Sequence, residues 1–564
     1  MQKALEKQGV SGADVELEHP AELAHGDYAT NVALVYGKPQ GKNPREFAET
    51  VVVELQRELP DSVEKAEVAG PGFINFHLSV AFFARSLTEI QKAGKAFGKN
   101  KSRAGERVMI EYTNPNPFKE LHAGHLMSNS IGEALSRLLE FTGAEVIRAN
   151  YQGDVGPHIA KALWGMQRTK DELPSDDAPL KEKVAFVGGA YVDGSTAYEE
   201  GGEAKGEIDR INKAVYERSD EEIMDLYRWG REASLAYFEE VYKKLGTSFD
   251  HYFFESETAE KGVEIVKQGI EKGVFERSEG AVVFRGEKDG LHTRVFINSL
   301  GLPTYEAKDL GLSVTKFETE KGLDSSVVLT ADEQKAYFEV MLKALSYLRP
   351  DIVGKTVHIT HGMLRTPEGK MSSRRGNVIG GGTLLEDIEE AVLRKVKEGE
   401  KFSSEDEEQK TAEYIAVAAL RYMVLRQTPG KNIVFDVERS LSLEGDSGPY
   451  LQYAVVRAAS AAEEARGIGI TEEGREGSPL NTELERLLYR FPEVVEKAQK
   501  EYAPHHVVSY LTELASSFSS FYATERIADA EDPNAGYKLL LVESFQTVMK
   551  NGLYLLGTNV PERM

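Results

Sequence analysis

The sequence predicts an α/β fold: a parallel sheet wound with helices, a small α+β domain ahead of it and an all-α bundle behind it. Three observations carry this. A strand pattern, a helical pattern and a second strand pattern follow one another between residues 107 and 151. Residues 1 to about 100 mix helical and strand-like runs, and long helical patterns dominate from about 410 onward.

In chain order, "REFAETVVVELQREL" reads as a helix and "GFINFHL" as a strand of the first domain, residues 1–100. The Gly- and Lys/Arg-rich "KAGKAFGKNKSRAGER", residues 92–107, reads as a linker. "RVMIEYT" then alternates like a strand, and "NPNPFKELHAG" is a Pro-punctuated loop. Leu126, Ile131, Ala134, Leu135, Leu138 and Leu139 recur at helical spacing until Gly143, and "AEVIRANY" resumes as a strand. That succession opens a parallel sheet, whose crossovers are right-handed and whose ligands bind beyond the carboxyl ends of the strands. Residues from about 166 to 280, with the polar "DELPSDDAPLKEK" and the Gly-rich "YEEGGEAKGE", read as an insertion. "AVVFRG", "TRVFIN", "SSVVLT" and "KTVHIT" are expected to complete the sheet, so the central domain covers residues 101–410. "AEYIAVAALRYMVLRQ", "LQYAVVRAASAAEEAR" and "YKLLLVESFQTVMKNGLYLLG" build the bundle, residues 411–564.

With 564 residues, 41% hydrophobic and 28% charged, the composition is that of a soluble protein of about three or four domains. No run approaches the ~18 apolar residues of a membrane span, and the start lacks the apolar segment of a signal peptide. A cytoplasmic location without membrane association is expected. Zero cysteines exclude disulfides and thiolate metal sites, and no resident metal is expected. The balance of 68 basic against 92 acidic residues, −24, argues against broad nonspecific nucleic-acid binding and leaves room for local basic patches.

Two stretches carry candidate chemistry. In "LHAGHLMSNSIGEAL", Gly124 leaves the backbone uncovered at a helix entrance, where unpaired amides and the positive dipole end attract anions. His122 and His125 flank it and can donate hydrogen bonds to phosphate oxygens, so a nucleoside triphosphate fits; taken alone they also read as a surface histidine and a cap. "RTPEGKMSSRRGNV", residues 365–378, sets Arg365, Lys370, Arg374 and Arg375 against the single acid Glu368. It reads either as a solvated loop or as a cationic loop that closes on a pyrophosphate leaving group.

"HAGH" resembles the HIGH signature and "KMSSR" the KMSKS signature of class I aminoacyl-tRNA synthetases, in that family's order and separation. "HGDYATNVAL", "AGPGFINFHL", "NPNPFKELHAGHL", "LGTSFDHYFFES", "EGDSGPYLQYAVVRA" and the terminal "GLYLLGTNVPERM" resemble arginyl-tRNA synthetases in particular, over nearly the whole chain. The resemblance implies a Rossmann-type catalytic domain that joins L-arginine to AMP, expels pyrophosphate and passes the arginyl group to tRNA(Arg), with ATP arriving with Mg²⁺. It places His122, Gly124, His125, Lys370, Ser372 and Ser373 at ATP, and Glu111, Asn114, Asn116, His125, Tyr305, Asp309 and Gln334 at arginine. Guanidinium is planar, always charged and rich in donors, so carboxylates with amide and hydroxyl acceptors suit it. The resemblance also implies tRNA contacts at Phe73 and Asn75 in the first domain and at Tyr450, Tyr453, Arg457 and Met564 in the bundle, and a monomer.

The sequence departs from KMSKS at Ser373, where the family has a second lysine. Lys119, three residues before His122, is expected to supply that charge and to count among the catalytic groups, with Arg374 the rival. Two further readings are a tRNA-independent adenylyltransferase of the same superfamily and an inactive RNA-binding paralogue.

Overall fold

A computed structural model of the protein describes residues 1–365, 380–399, 402–471, 480 and 482–564. The chain forms two compact units: residues 1–98, 454–494 and 510–551 make one, and residues 99–453, 495–509 and 552–564 the other.

In the first unit, β1 (Tyr28–Thr30), β2 (Val63–Ala69) and β3 (Phe73–Leu78) form an antiparallel sheet in the order β1-β3-β2. Helix Pro44–Gln56 begins where the Asn43 side chain accepts the Arg45 amide at 2.9 Å, with Pro44 already set to a helical φ. Its Phe47, Ala48, Val51 and Val52 are buried in one core with Ile74 of β3. Asp27, 2% exposed, accepts from the Leu78 amide at 2.7 Å and from Arg486 at 3.0 Å. The buried carboxylate thus ties the strands to helix Glu483–Tyr489 of the same unit.

The second unit is built on β4 (Arg107–Glu111), β5 (Glu145–Gln152), β6 (His251–Phe254), β7 (Glu276–Ser278), β8 (Ala281–Phe284), β9 (Arg294–Ile297), β10 (Ser325–Ala331) and β11 (Thr356–His361). The main sheet is parallel throughout, in the order β11-β10-β4-β5-β6. This is the α/β architecture expected of the central region. Between β5 and β6 the chain runs through helices Pro157–Arg168, Leu180–Glu200, Gly202–Glu217 and Glu221–Leu245, packed around Ile159, Leu163, Met166 and Ile208.

Two expectations are corrected. The stretch from about 166 to 280 is not all insertion, because β6 within it pairs parallel with β5 in the main sheet. "AVVFRG" and "TRVFIN" do not join the main sheet; β8 and β9 pair antiparallel with each other and with β7 in a separate small sheet. The link from Phe284 to Arg294 suits a hairpin, whereas a parallel neighbour needs a crossover of roughly a dozen residues or more.

Helix Ala123–Phe141 follows β4 and buries most of its length, including Leu126, Leu135, Leu138 and Leu139. It lies so close to β4 that a Cβ on Gly132 would come within 2.1 Å of the Tyr112 ring. The helix ends at Thr142, and Gly143 takes φ +97 to turn the chain into β5. Helices Glu405–Leu425, Gly448–Gly467, His505–Thr524 and Ala535–Leu555 dominate the late part of the chain, whose two-residue strand Ile433–Val434 pairs with Leu364–Arg365. No helix among the described residues is long and apolar enough to cross a membrane.

Candidate active site

The strand order reverses between β4 and β10, and a cavity of about 470 Å³ opens there. Glu111 at the end of β4 and Leu329, Thr330 and Ala331 at the end of β10 line it. So do Asn114, Asn116, His122, Gly124, His125, Tyr305, Asp309 and Gln334, which brings the expected arginine and helix-entrance residues to one cavity. Lys119 is placed otherwise, with its ammonium 5.2 Å from the centre of the Tyr191 ring. Lys370, Ser372, Ser373, Arg374 and Arg375 lie outside the described residues.

The loop from β4 to the helix is held in an uncommon shape. Thr113, Asn114 and Phe118 have φ of 75°, 50° and 65°, which costs about 1 kcal/mol or more for a residue other than Gly or Asn. Its surroundings fix it. The Thr113 amide donates to Ser128 Oγ at 2.9 Å, and the Thr113 hydroxyl accepts from Asn129 at 3.1 Å. The Phe118 amide donates to Ser234 at 3.0 Å, and its ring is 1% exposed. Asn114 donates to Glu111 at 2.9 Å while accepting the Tyr151 amide at 2.9 Å. Asn116 accepts the Gly153 amide at 3.1 Å, and a Cβ on Gly153 would stand 2.5 Å from the same oxygen. Glycine is required there to let the two segments meet.

At the helix entrance His122 is the N-cap and His125 the third helical residue. The His122 amide donates to His125 Nδ1 at 3.0 Å, and the rings stack with centroids 3.6 Å apart. Burial, reinforced by the Lys119 charge, pushes His122 down to about 4, and burial with the neighbouring His122 pushes His125 well below the usual histidine value. Both are neutral near pH 7. With Nδ1 of His125 occupied as an acceptor, its proton sits on Nε2 and is available to an anion.

The cavity's carboxylates are not equivalent. Glu111 is paired with Lys316 and Glu255 with Lys308, all four side chains nearly inaccessible. Asp309 is bonded by the Tyr337 hydroxyl, and burial raises its carboxyl to about 7, helped by the nearby Glu111 and Glu255. A cation of the right shape entering the cavity finds in Asp309 an enclosed acid whose bonded partner is neutral. Tyr305 lies one helical turn before Asp309 on helix Tyr305–Thr319 and is 56% exposed, at the mouth.

The family of "tRNA synthetases class I (R), catalytic domain" matches residues 87–437, that of "Arginyl tRNA synthetase N terminal domain" residues 1–78, and that of "DALR anticodon binding domain" residues 451–564. The chain belongs to the arginyl-tRNA synthetase family. The arginine–tRNA ligase of Treponema denticola is 30% identical over 96% of this chain and 93% of its own. That of Thermococcus sibiricus is 31% identical over 99% and 97%. The solved arginyl-tRNA synthetase of Thermus thermophilus superposes with a TM-score of 0.79 at 25% identity, covering 100% of this chain and 98% of that one.

Within this synthetase, Phe73 is 39% exposed and Asn75 4%, on β3 of the first unit. In the same unit the Arg457 guanidinium lies 4.0 Å from the centre of the Tyr522 ring. Tyr450, Tyr453 and Met564 belong to the second unit and are partly buried. Sequence reasoning missed Glu255, Lys308, Lys316, Tyr151, Tyr337 and His361. Lys308 and Lys316 share a helix with Asp309, but their partners lie on other elements, so spacing alone does not reveal the pairs.

Proposed function

We propose that this synthetase activates L-arginine with ATP to arginyl-adenylate and transfers the arginyl group to the terminal adenosine of tRNA(Arg). The observation that carries the proposal is the charge pattern of the cavity. With Glu111 and Glu255 paired to lysines, Glu306 to Arg294 and Glu333 exposed, Asp309 is the enclosed acid left to meet the guanidinium. Asn116, Tyr305 and Gln334 offer polar contacts in the same cavity.

In the first step an oxygen of the arginine carboxylate attacks the α-phosphorus of ATP and the bond to the bridging oxygen breaks, releasing pyrophosphate. Positioning and electrostatics supply most of the catalysis. His125 presents a ring N–H to phosphate oxygens, and His122 and Gly124 complete the helix entrance. Lys370 takes the leaving pyrophosphate, Ser372 and Ser373 adjoin it, and Lys119 adds the second positive charge once its stem leaves Tyr191. Mg²⁺ arrives with ATP and is held mainly by the phosphates. In the second step a ribose hydroxyl attacks the adenylate carbonyl and AMP departs.

Phe73 and Asn75 in the N-terminal domain, residues 1–100, meet the D-loop of the tRNA. Tyr450, Tyr453, Arg457 and Met564 in the helical domain, residues 411–564, meet anticodon bases, for which aromatic faces and a guanidinium plane are suited. The catalytic domain spans residues 101–410. The protein acts as a monomer in the cytoplasm.

Pyrophosphate exchange into ATP, run with each of the twenty amino acids with and without tRNA(Arg), tests the proposal. Arginine alone should support exchange and, with tRNA, stable charging. Exchange with another amino acid, or adenylate formation with no transfer to tRNA, points to a tRNA-independent adenylyltransferase, and no turnover at all to an inactive RNA-binding paralogue.

A further inference from the structure

Three imidazoles stand on the cavity wall, those of His122, His125 and His361. The backbone fixes the tautomers of the last two in opposite senses. His125 Nδ1 accepts an amide hydrogen, so its Nε2 donates. His361, the last residue of β11, has Nδ1 2.8 Å from the Gly362 carbonyl oxygen. A carbonyl oxygen only accepts, so Nδ1 carries the ring proton. The ring is 5% exposed, and burial holds it below the ordinary histidine pKa. A neutral imidazole has one ring proton, which leaves Nε2 as an acceptor. The described residues supply a hydrogen bond for Nδ1 and none for Nε2.

The group that meets Nε2 must therefore be a donor. His361 lines the same cavity as His122, Gly124 and His125 of the helix entrance, where ATP is expected. The triphosphate offers oxygen acceptors and is the wrong chemistry. The donors of the nucleotide are the ribose hydroxyls and the exocyclic amine of adenine. A hydroxyl both donates and accepts and is satisfied by either kind of neighbour. The amine only donates, and the carbonyl that replaces it in guanine only accepts, so a fixed acceptor discriminates at this position and not at a hydroxyl.

We infer that His361 is a specificity-determining residue for the nucleotide base, its Nε2 accepting a hydrogen bond from the adenine amine. The inference rests on the reading of the cavity as an ATP and arginine site.

The test compares arginine charging with ATP, with purine riboside triphosphate, which lacks the amine, and with 2′-deoxy-ATP, in the wild type, His361→Phe and His361→Gln. The wild type should prefer ATP to purine riboside triphosphate by about tenfold in kcat/KM, the value of one hydrogen bond. His361→Phe should erase that preference through the KM for ATP while the KM for arginine is kept. His361→Gln, whose amide oxygen accepts, should retain part of it, and the ratio of ATP to 2′-deoxy-ATP should be the same in all three. The inference is overturned if His361→Phe keeps the wild-type preference for the amine, or loses a preference for the ribose hydroxyl instead. If neither variant folds, equal use of ATP and purine riboside triphosphate by the wild type overturns it, and a tenfold preference supports it. No charging by the wild type with ATP and arginine overturns the reading of the cavity, and this inference with it.

Discussion

Replacing Asp309 by Asn removes a charge from the cavity and keeps the side chain's size. The other buried acids of the cavity, Glu111, Glu255 and Glu306, stay tied to Lys316, Lys308 and Arg294, and Glu333 is exposed. Exchanging a charge-assisted contact to guanidinium for a neutral one loses roughly 1.5–3 kcal/mol, or about ten- to hundredfold in the KM for arginine. The KM for ATP should stay near the wild-type value. The pH dependence gives a second reading. Asp309 titrates at about 7 in the free protein, so below that pH it is neutral and arginine binding must ionise it. Wild-type kcat/KM for arginine should fall as pH drops through 7, and Asp309→Asn should lack that inflection. Stability moves the other way. The folded pKa lies above the ordinary 3.8, so the folded state loses stability as pH rises from about 4 to about 7. The Asn variant should therefore melt higher than the wild type at pH 8, with the advantage gone near pH 4. Steady-state kinetics across pH 5–8 and thermal melts across pH 4–8 read all three, and an unchanged KM for arginine in Asp309→Asn refutes the reasoning.

Gly153→Ala pushes a methyl against Asn116 and Glu255 and should cost about 1–3 kcal/mol, with arginine activation lost in a protein whose circular dichroism is unchanged; full activity would mean that the Asn116 contact is dispensable. Lys119→Ala should slow single-turnover adenylate formation by about ten- to hundredfold with little change in arginine affinity, and Ser373→Lys should restore part of the rate. If Lys119→Ala is silent while Arg374→Ala abolishes activation, the charge comes from the 365–378 loop. Deleting residues 561–564 should leave the melting temperature near wild type, because Gln452 grips the Asn559 carbonyl at 2.6 Å and Arg421 the Gly557 carbonyl at 2.6 Å upstream of the cut. Charging kcat/KM for tRNA should fall about five- to hundredfold, the worth of one base contact, and wild-type charging would remove Met564 from the tRNA interface.

Four of the five strands of the main sheet were legible because hydrophobic period and Gly/Pro punctuation are local: "RVMIEYT", "AEVIRANY", "SSVVLT" and "KTVHIT" yield β4, β5, β10 and β11, whereas the four-residue β6 was hidden in the stretch read as an insertion. "AVVFRG" and "TRVFIN" carry the same local signal, and only the length of the link between them tells a hairpin from a parallel neighbour. In the cavity, the helix entrance could be read because it lies within one element, whereas Tyr305 and Asp309 were named through the family resemblance. The lysine partners of Glu111 and Glu255 could not be read, since those pairs join elements that only the folded sheet brings together. His361 was missed for a related reason. Its sequence context is an ordinary strand end, and its meaning comes from the cavity it faces and the carbonyl that fixes its proton.

This cavity selects arginine and delivers it to tRNA(Arg) in the proposed function, and charging of tRNA(Arg) transcript with each of the twenty radiolabelled amino acids, at saturating ATP and Mg²⁺, tests it. Acid-precipitable label should accumulate with arginine alone, and Asp309→Asn should lower its rate at limiting arginine. Comparable label from lysine or any other amino acid, or none from arginine, would contradict the account.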